Sequence, residues 1–225
     1  MSSNTTPLMV VTIDGPAGSG KSTMAKALAM ALGWHKLDTG AIYRSLAWYA
    51  RQQQVSWDDE TGLATLCETL PLRFEGDRVY MADDDITTAI REPEMSRGAS
   101  VVSAHPAARA ALLDLQRNLA AVEPCVAEGR DTGTVVFPNA FMKFFLNATL
   151  EQRAQRRYLE LSEAGQQVSL DDIRKAEQER DERDSNRAVA PLCKPDDAVE
   201  IDSTTMSIQD VLKEMERHVR QRLEN

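Results

Sequence analysis

The chain carries the segment Gly15-Pro16-Ala17-Gly18-Ser19-Gly20-Lys21-Ser22-Thr23 directly after the apolar run Leu8 to Ile13. The spacing of Gly15 and Gly20-Lys21-Ser22 is that of a phosphate-binding loop placed between a buried strand and a helix. Glycines reach backbone angles that are closed to other residues, and they leave room for a phosphate to approach the backbone N–H groups. The segment therefore predicts a nucleoside triphosphate site at the N-terminus of a helix.

Two side chains of this loop have a predicted part in the chemistry. Lys21 supplies a mobile positive charge for the outer phosphates, and the Ser22 hydroxyl can ligate a magnesium ion that accompanies ATP. Asp14 and Asp38 are candidates for a second magnesium ligand, although phosphate oxygens and water could complete the shell instead. The alternative for the whole segment is a glycine-rich turn that binds nothing.

Size and composition restrict the classes of function. The 225 residues are 42% hydrophobic and 27% charged, as in an ordinary globular protein with one sizeable core. The net charge of −9 argues against broad binding of nucleic acid or an anionic membrane, because both need an extended basic surface. The three cysteines, Cys67, Cys125 and Cys193, are scattered, and residues 1–7 do not resemble a secretory signal. We therefore expect a cytoplasmic protein. A monomer is the default expectation for its oligomeric state.

Strand-like and helix-like segments alternate along most of the chain, which predicts an α/β fold with a parallel sheet flanked by helices. Thr39 is the expected cap of the second helix, and Thr149 and Ser169 open two later helices with the spacing of a capping box. The predicted strands are 8–13, 35–38, 125–127, 142–146 and 198–201, and the predicted helices are 21–32, 41–53, 150–162 and those beginning near 170 and 207.

Two stretches depart from this alternation. Residues 71–86 contain two short apolar runs around Glu75-Gly76-Asp77-Arg78, which predicts a small hairpin insert. Residues 165–191 are dominated by charge and bounded by turn residues, which we interpret as a mobile flap on the core.

The arginines of this flap favour phosphoryl transfer. Helical spacing places Arg180, Asp184 and Arg187 on one face, and Arg153, Arg156 and Arg157 are expected to cluster on one side of the preceding helix. Guanidinium groups neutralise the charge that develops on a transferring phosphoryl group, and a closing flap would also exclude water. The alternative is a solvated helix pair held by surface salt bridges.

A phosphate acceptor also needs positive charge near the loop. The candidates are Arg44, Arg91, Arg109 and Arg130, and each by itself could equally be a surface arginine. Arg130 follows a predicted interior strand, which is where open α/β sheets bind their ligands. Asp131 differs in kind, because a carboxylate can accept a hydrogen bond from the exocyclic amine that distinguishes cytosine from uracil.

Residues 13–23 are the first of four distinctive blocks, and the others are residues 37–44, 128–138 and 180–191. Together these blocks resemble the bacterial cytidylate kinases, which phosphorylate CMP and dCMP in pyrimidine nucleotide metabolism. The resemblance extends over essentially the whole chain, and it implies a single P-loop kinase domain over residues 1–225. Within it, residues 39–109 would form the region that binds the nucleoside monophosphate, residues 70–86 a small β-rich insert, and residues 153–187 a mobile lid.

The resemblance also implies a role for individual residues. Gly15 to Thr23, with Arg156, would bind ATP, and Lys21, Arg130, Arg180 and Arg187 would be catalytic. The acceptor would be bound through its sugar, phosphate and base; the implied residues are Asp38, Thr39, Arg44, Ser100, Arg109, Arg130, Asp131, Arg180 and Asp184. Among these, Ser100, Arg109 and Asp131 match positions that recognise cytosine, and Asp184 matches a carboxylate that binds ribose.

The expected reaction is in-line transfer of the γ-phosphoryl group of Mg·ATP to CMP or dCMP, with these nucleotides as the only expected partners. One rival is a P-loop kinase for UMP, a sugar acid or a coenzyme precursor. A second rival is a nucleotide-dependent switch protein, but the chain has no Asn-Lys-x-Asp element for guanine.

Overall fold

A computed structural model describes residues 9–224. The chain enters through strand β1 (Val10–Asp14), all of whose residues are buried, and continues into helix α1 (Lys21–Leu32). Leu8, which we predicted to begin this strand, lies outside the described residues. Gly33 ends α1 in the left-handed conformation, as glycine commonly does at this position.

The other strands build two sheets. In chain order they are β2 (His35–Asp38), β3 (Leu72–Glu75), β4 (Arg78–Met81), β5 (Asp84–Asp85), β6 (Cys125–Gly129), β7 (Met142–Asn147) and β8 (Val199–Asp202). Among residues 9–224, five strands pair in parallel in the order β2-β6-β1-β7-β8. Because β1 is central and pairs with both β6 and β7, the loop after it opens at the middle of the carboxyl edge of the sheet.

Helices cover both faces of the parallel sheet, which confirms the predicted α/β fold. In chain order they are α2 (Thr39–Gln52), α3 (Glu60–Glu68), α4 (Pro93–Val102), α5 (Pro106–Ala120), α6 (Leu150–Glu163), α7 (Leu170–Asn186) and α8 (Ile208–Leu223). One apolar cluster joins α2, α3, α4 and α5 to β6 through residues such as Leu46, Leu63 and Leu112. Another joins α1 and α8 to β1 and β7 through residues such as Leu28, Phe144 and Met215.

The predicted insert forms an antiparallel sheet of β3, β4 and β5. The hairpin turn lies where the sequence indicates it, with Gly76 at a φ of 58°. β5 was not predicted, because two exposed aspartates carry no strand pattern. Val79, Met81 and Ile86 of the insert pack against Ala41 of α2, so the insert lies beside the entry to the carboxyl edge of the main sheet.

The flap predicted over residues 165–191 contains α7, which packs against α6. The side chains of Thr149 and Ser169 cap the two helices as predicted. In α7 only Ile173 and Asp184 are buried, so this helix is attached to the core mainly by polar contacts. Within residues 9–224, every helix is too short or too polar to cross a bilayer.

Candidate active site

The loop between β1 and α1 has backbone angles that suit a phosphate cradle. Gly15, Gly18 and Gly20 have φ values of 151°, 71° and 95°. A Cβ atom on Gly15 would overlap the carbonyl oxygen of Leu146, so the close approach of two backbones requires glycine there. Gly20 is the N-cap of α1 and makes no side-chain cap, which leaves the first N–H groups of the helix available to an anion.

Asp14 anchors the start of this loop from the end of β1. Its carboxylate accepts hydrogen bonds from the Thr132 N–H (2.9 Å), the Thr132 hydroxyl (2.7 Å) and the Gly133 N–H (2.7 Å). Burial raises the pKa of Asp14, although these three bonds oppose the rise. Because both carboxylate oxygens are engaged with the segment after β6, the contacts of Asp14 are those of a structural anchor rather than a metal ligand.

Lys21 is buried at the base of the loop and folds back on it. Its ammonium group donates to the carbonyl of Pro16 (2.5 Å) and lies 3.3 Å from the Ser19 hydroxyl. Burial and the positive charge of Arg130 lower the pKa of Lys21 well below its usual value. A bound phosphate would supply negative charge next to Lys21 and its cationic neighbour Arg130.

Ser22 is bound to a carboxylate that sequence reasoning did not select. Its hydroxyl donates to Glu128 Oε2 (2.7 Å), while the other oxygen, Oε1, has no hydrogen-bond donor among the described residues and lies 3.6 Å from Lys36 Nζ. Burial raises the pKa of Glu128. A signal was present, since the buried run Cys125-Val126-Ala127 leads directly to this glutamate beside the central strand.

An arginine that directly follows β6 and an arginine of α7 lie close to Lys21. Arg130 Nε donates to Asp184 Oδ2 (2.9 Å), which joins α7 to the end of β6. Arg180 lies beside this pair, and its Nε is buried without an acceptor within residues 9–224. Burial and the neighbouring charge of Arg130 lower the pKa of Arg180 to about 10. The positive charges of Lys21, Arg130 and Arg180 therefore favour the binding of an anion between them.

A second polar cluster surrounds Asp131. Arg109 donates to one carboxylate oxygen and Arg187 Nη2 to the other (3.0 Å), and all three side chains are buried. The guanidinium of Arg109 also lies over the ring of Tyr43, 5.5 Å from its centroid. Ser100 Oγ is buried in α4 without a hydrogen-bond partner in the described chain, and the Ser103 carbonyl at the end of α4 accepts from Arg109 (3.3 Å). The arrangement can receive a polar ring that offers both donors and acceptors.

Comparison with known proteins agrees with this geometry. The family model described as cytidylate kinase matches residues 11–221. The chain belongs to the cytidylate kinase family. It is 48% identical over 218 residues to a cytidylate kinase of Geobacter sulfurreducens, with 95% of this chain and 94% of the relative covered. The corresponding enzymes of Stutzerimonas stutzeri (47%; 92% and 93% covered) and Edwardsiella ictaluri (48%; 95% and 97% covered) are similarly close.

In this member of the cytidylate kinase family, the start of α2 differs from the prediction. The helix cap is Asp38, whose Oδ1 accepts from the Ala41 N–H (2.8 Å), and the prediction of Thr39 was wrong. Thr39 is instead the first residue of the helix, and its hydroxyl donates to the carbonyl of Glu128 (2.7 Å). Asp38 also accepts from Arg44 (3.0 Å), so its carboxylate is occupied by protein partners.

Arg44 lines a small cleft between α2 and the insert. Its Nε is buried and has no partner in the described part of the chain. Lys36, Arg91 and Asp77 line the same cleft. The sequence candidates Arg44 and Arg91 thus lie together, whereas Arg109 and Arg130 belong to the two clusters around Asp131 and Asp184.

The arginines of α6 do not act as one group. Arg156 donates to the carbonyl (2.6 Å) and hydroxyl (3.1 Å) of Ser203 and so ties α6 to the segment after β8, beside the phosphate-binding loop. Arg153 points to the loop itself, where it donates to the Ala17 carbonyl (2.8 Å). Arg157 pairs with Glu160 (2.7 Å). The three arginines, which helical spacing places on one side of α6, therefore bind different partners.

Proposed function

We propose that this chain transfers the γ-phosphoryl group of Mg·ATP directly to CMP or dCMP, giving ADP and CDP or dCDP. The observation that carries the proposal is the cluster of positive charges formed by Lys21, Arg130 and Arg180 beside the phosphate-binding loop. Burial lowers the pKa values of Lys21 and Arg180, so an anion bound among them would be strongly favoured. Charge of this kind is what a transferring phosphoryl group needs.

The residues present fit a magnesium ion. The Ser22 hydroxyl and the Glu128 carboxylate are oxygen ligands of the hard type that Mg²⁺ prefers, and Glu128 Oε1 is buried without a hydrogen bond in the described structure. Among residues 9–224 there is no cluster of three or more acidic, histidine or cysteine side chains suited to a metal. We therefore expect one or two protein ligands, with phosphate oxygens and water as the others. The ion would supply charge neutralisation at the phosphates.

The donor nucleotide would be bound mainly by main-chain groups. The N–H groups of Gly15 to Thr23 would contact the ATP phosphates, and Lys21 would leave Pro16 to meet them. Arg156 lies beside the same loop on α6, which supports its expected contact with the donor. These contacts position the reacting phosphate and need no residue to gain or lose a proton.

The acceptor would be bound on the other side of the cluster. Asp131, Arg109 and Ser100 would offer the acceptor and donor groups that recognition of a cytosine amine and its ring acceptors requires; the bond between Arg109 and Asp131 supports this. Arg44 and Arg130 would bind the acceptor phosphate, with Arg180 and Arg187 near the transferred group. Asp184 would bind the ribose, with Asp38 and Thr39 close to the acceptor.

Catalysis would consist of positioning and charge neutralisation. The attacking atom is an already anionic phosphate oxygen, so no strong general base is required. Residues 153–187 would act as a lid that brings its arginines to the site, and residues 39–109, with the insert at 70–86, would carry the acceptor. A closed lid would keep water from competing with the acceptor. A cytoplasmic location and a monomeric state remain predictions of the sequence.

The test is an assay of ADP release from Mg·ATP with CMP, dCMP, UMP, AMP, GMP or no acceptor. We expect strong turnover with CMP and dCMP and little with the others. Comparable turnover with UMP would remove the role given to Asp131. Hydrolysis that does not depend on an acceptor, or no release with any of them, would contradict the proposed reaction.

A further inference from the structure

Both backbone polar groups of Ala17 are held by the lid. The Ala17 N–H donates to Asp181 Oδ1 of α7 (3.1 Å), and its carbonyl accepts from Arg153 Nη1 of α6 (2.8 Å). Arg153 and Asp181 also pair with each other (2.7 Å). These contacts close a ring between the two lid helices and the outer turn of the phosphate-binding loop.

The α6 side of this ring is fixed by packing. Arg153 is 6% exposed, and its Nε donates to the carbonyl of Ala148 just before the helix (3.0 Å). A Cβ atom on Gly18 would lie 3.0 Å from the Arg153 Cβ, so only glycine lets the loop pack this closely on α6. Arg153 is therefore held against the loop at the point where it pairs with Asp181.

The α7 side of the ring stands next to a predicted catalytic residue. Asp181 directly follows Arg180, and Asp184 binds Arg130 about one helical turn further on. Two attachment points this close together define both the rotation of α7 and its distance from the loop. Arg180, whose Nε is buried, lies on the same turn of the helix, so these two contacts position its guanidinium relative to Lys21.

We propose that Asp181 is a positioning residue for phosphoryl transfer, which uses Ala17 and Arg153 to place Arg180 against the phosphate-binding loop. It does not act on the reacting atoms itself. The carboxylates whose charge raises the pKa of Arg180 are Asp184 and Glu177, so Asp181 acts on Arg180 through the position of the helix. This inference rests on the proposed kinase reaction.

The test is a double-mutant cycle on kcat with Mg·ATP and CMP. Asp181→Asn keeps the size of the side chain but presents an amide to Arg153, and we expect kcat to fall by about 10- to 100-fold, the loss that a small misplacement of a reacting group causes. The KM for CMP should change by less than about 2-fold. In an Arg180→Ala background, measured by long incubation at high enzyme concentration, Asp181→Asn should lower kcat by less than about 2-fold, because coupled residues are not additive.

Two further variants separate position from charge and from stability. Asp181→Glu retains the charge but adds a methylene, so α7 must shift and we expect kcat to stay reduced. Glu182→Gln removes the same charge from the adjacent exposed position and should leave kcat within about 2-fold. Melting temperatures are measured for every variant, and kinetics are recorded well below each transition, so that only folded protein is compared.

Several results would overturn the inference. One is an unchanged kcat in Asp181→Asn or Asp181→Glu, and another is an equal loss with and without Arg180. A third is a lower KM for ATP with kcat retained in Asp181→Asn, which would mean that this carboxylate competes with the donor for the loop. Failure of the reaction itself is distinguishable, since the unmodified protein would then release no ADP in response to CMP.

Discussion

The donor and acceptor sides of the site are built in different ways. The donor side is nine consecutive residues whose geometry comes from glycine backbone angles and from main-chain bonds, such as those from Thr132 and Gly133 to Asp14. The acceptor side is assembled from α2, α4, α5, β6 and α7, and its arginines and carboxylates are bound to each other. The donor side offers mainly backbone N–H groups of one loop, whereas the acceptor side offers side chains of which most charged members are already paired with each other.

This difference determines how each ligand can bind. A phosphate can bind the loop N–H groups other than that of Ala17, which is bonded to Asp181, once Lys21 leaves Pro16. An acceptor nucleotide must replace bonds within the protein, such as that between Arg187 and Asp131 (3.0 Å), because buried charges left unpaired are costly. The acceptor side can therefore favour a ligand that satisfies the same groups, and specificity follows from the groups a wrong ligand would leave unpaired.

The largest effect is expected on the donor side, at Lys21. Lys21→Ala should lower kcat by about 10³-fold, or about 4 kcal/mol in the barrier, because a preorganised charge at the reacting phosphate is lost. Since Lys21 donates only within its own loop, the melting temperature should change little. Steady-state ADP release and thermal unfolding measure the two effects.

Lys26→Ala is the matched control for this experiment. Lys26 lies on the same helix but is exposed and pairs with Asp77, so we expect its loss to leave kcat nearly unchanged. Near-normal turnover in Lys21→Ala would show that the donor side does not depend on this charge, and the contrast between the two sides would then have no consequence for catalysis.

On the acceptor side, Arg187→Ala should lower kcat by about 10²-fold. Its guanidinium is expected near the transferred group, and in the structure it is held by Asp131 and by the Ala190 carbonyl (2.5 Å). Asp131 keeps Arg109 as a partner in the variant, so the carboxylate is not left unpaired. Arg183→Ala serves as the control, because it removes an exposed arginine of α7, the helix that Arg187 caps. Equal effects of the two substitutions would contradict the role of Arg187.

The same contrast explains what the sequence could predict. The donor loop, its strand and its helix are contiguous, so spacing alone located them, and the lid helices were located by local caps at Thr149 and Ser169. Glu128 and Asp181 were not selected, because their partners Ser22 and Ala17 are 106 and 164 residues away. Such pairs become neighbours only through the order of the strands and the docking of α7.

The prediction that Thr39 caps α2 was wrong for a related reason. Asp38 and Thr39 are adjacent, and both residue types cap helices well. The choice is decided by the hydrogen bond from Thr39 to the Glu128 carbonyl, which draws the threonine hydroxyl to the neighbouring strand and leaves the cap to Asp38. No local pattern contains that information.

A selectivity change of intermediate size is expected at Asp131. Asp131→Asn should reduce the ratio of kcat/KM for CMP over UMP by about 10-fold, because the amide can donate to the uracil carbonyl where the carboxylate could only accept from the cytosine amine. Asn is preferred to Ala, since an alanine would offer Arg109 and Arg187 no side-chain acceptor in place of the carboxylate. The KM for ATP should change by less than about 2-fold.

Asp114→Asn, an exposed position on the helix that carries Arg109, is the control for nonspecific loss of charge. An unchanged ratio of CMP to UMP in Asp131→Asn would mean that the acceptor side does not read the base through this carboxylate. A matching rise in the KM for ATP would mean that the two sides are not independent sites.

The smallest effect is expected where the two sides touch at the surface, between Asp77 at the tip of the insert and Lys26 of α1 (2.6 Å). Both side chains are more than half exposed, so Asp77→Asn should cost less than about 1 kcal/mol of unfolding free energy, and less still at high salt. If the insert approaches α1 when the acceptor binds, the KM for CMP should rise by up to about 2-fold while kcat stays constant. Asp83→Asn, on the exposed turn before β5, provides the comparison. A larger fall in kcat than in stability would show that this contact is part of the closed site, and the division into separate donor and acceptor sides would have to be extended to include the insert.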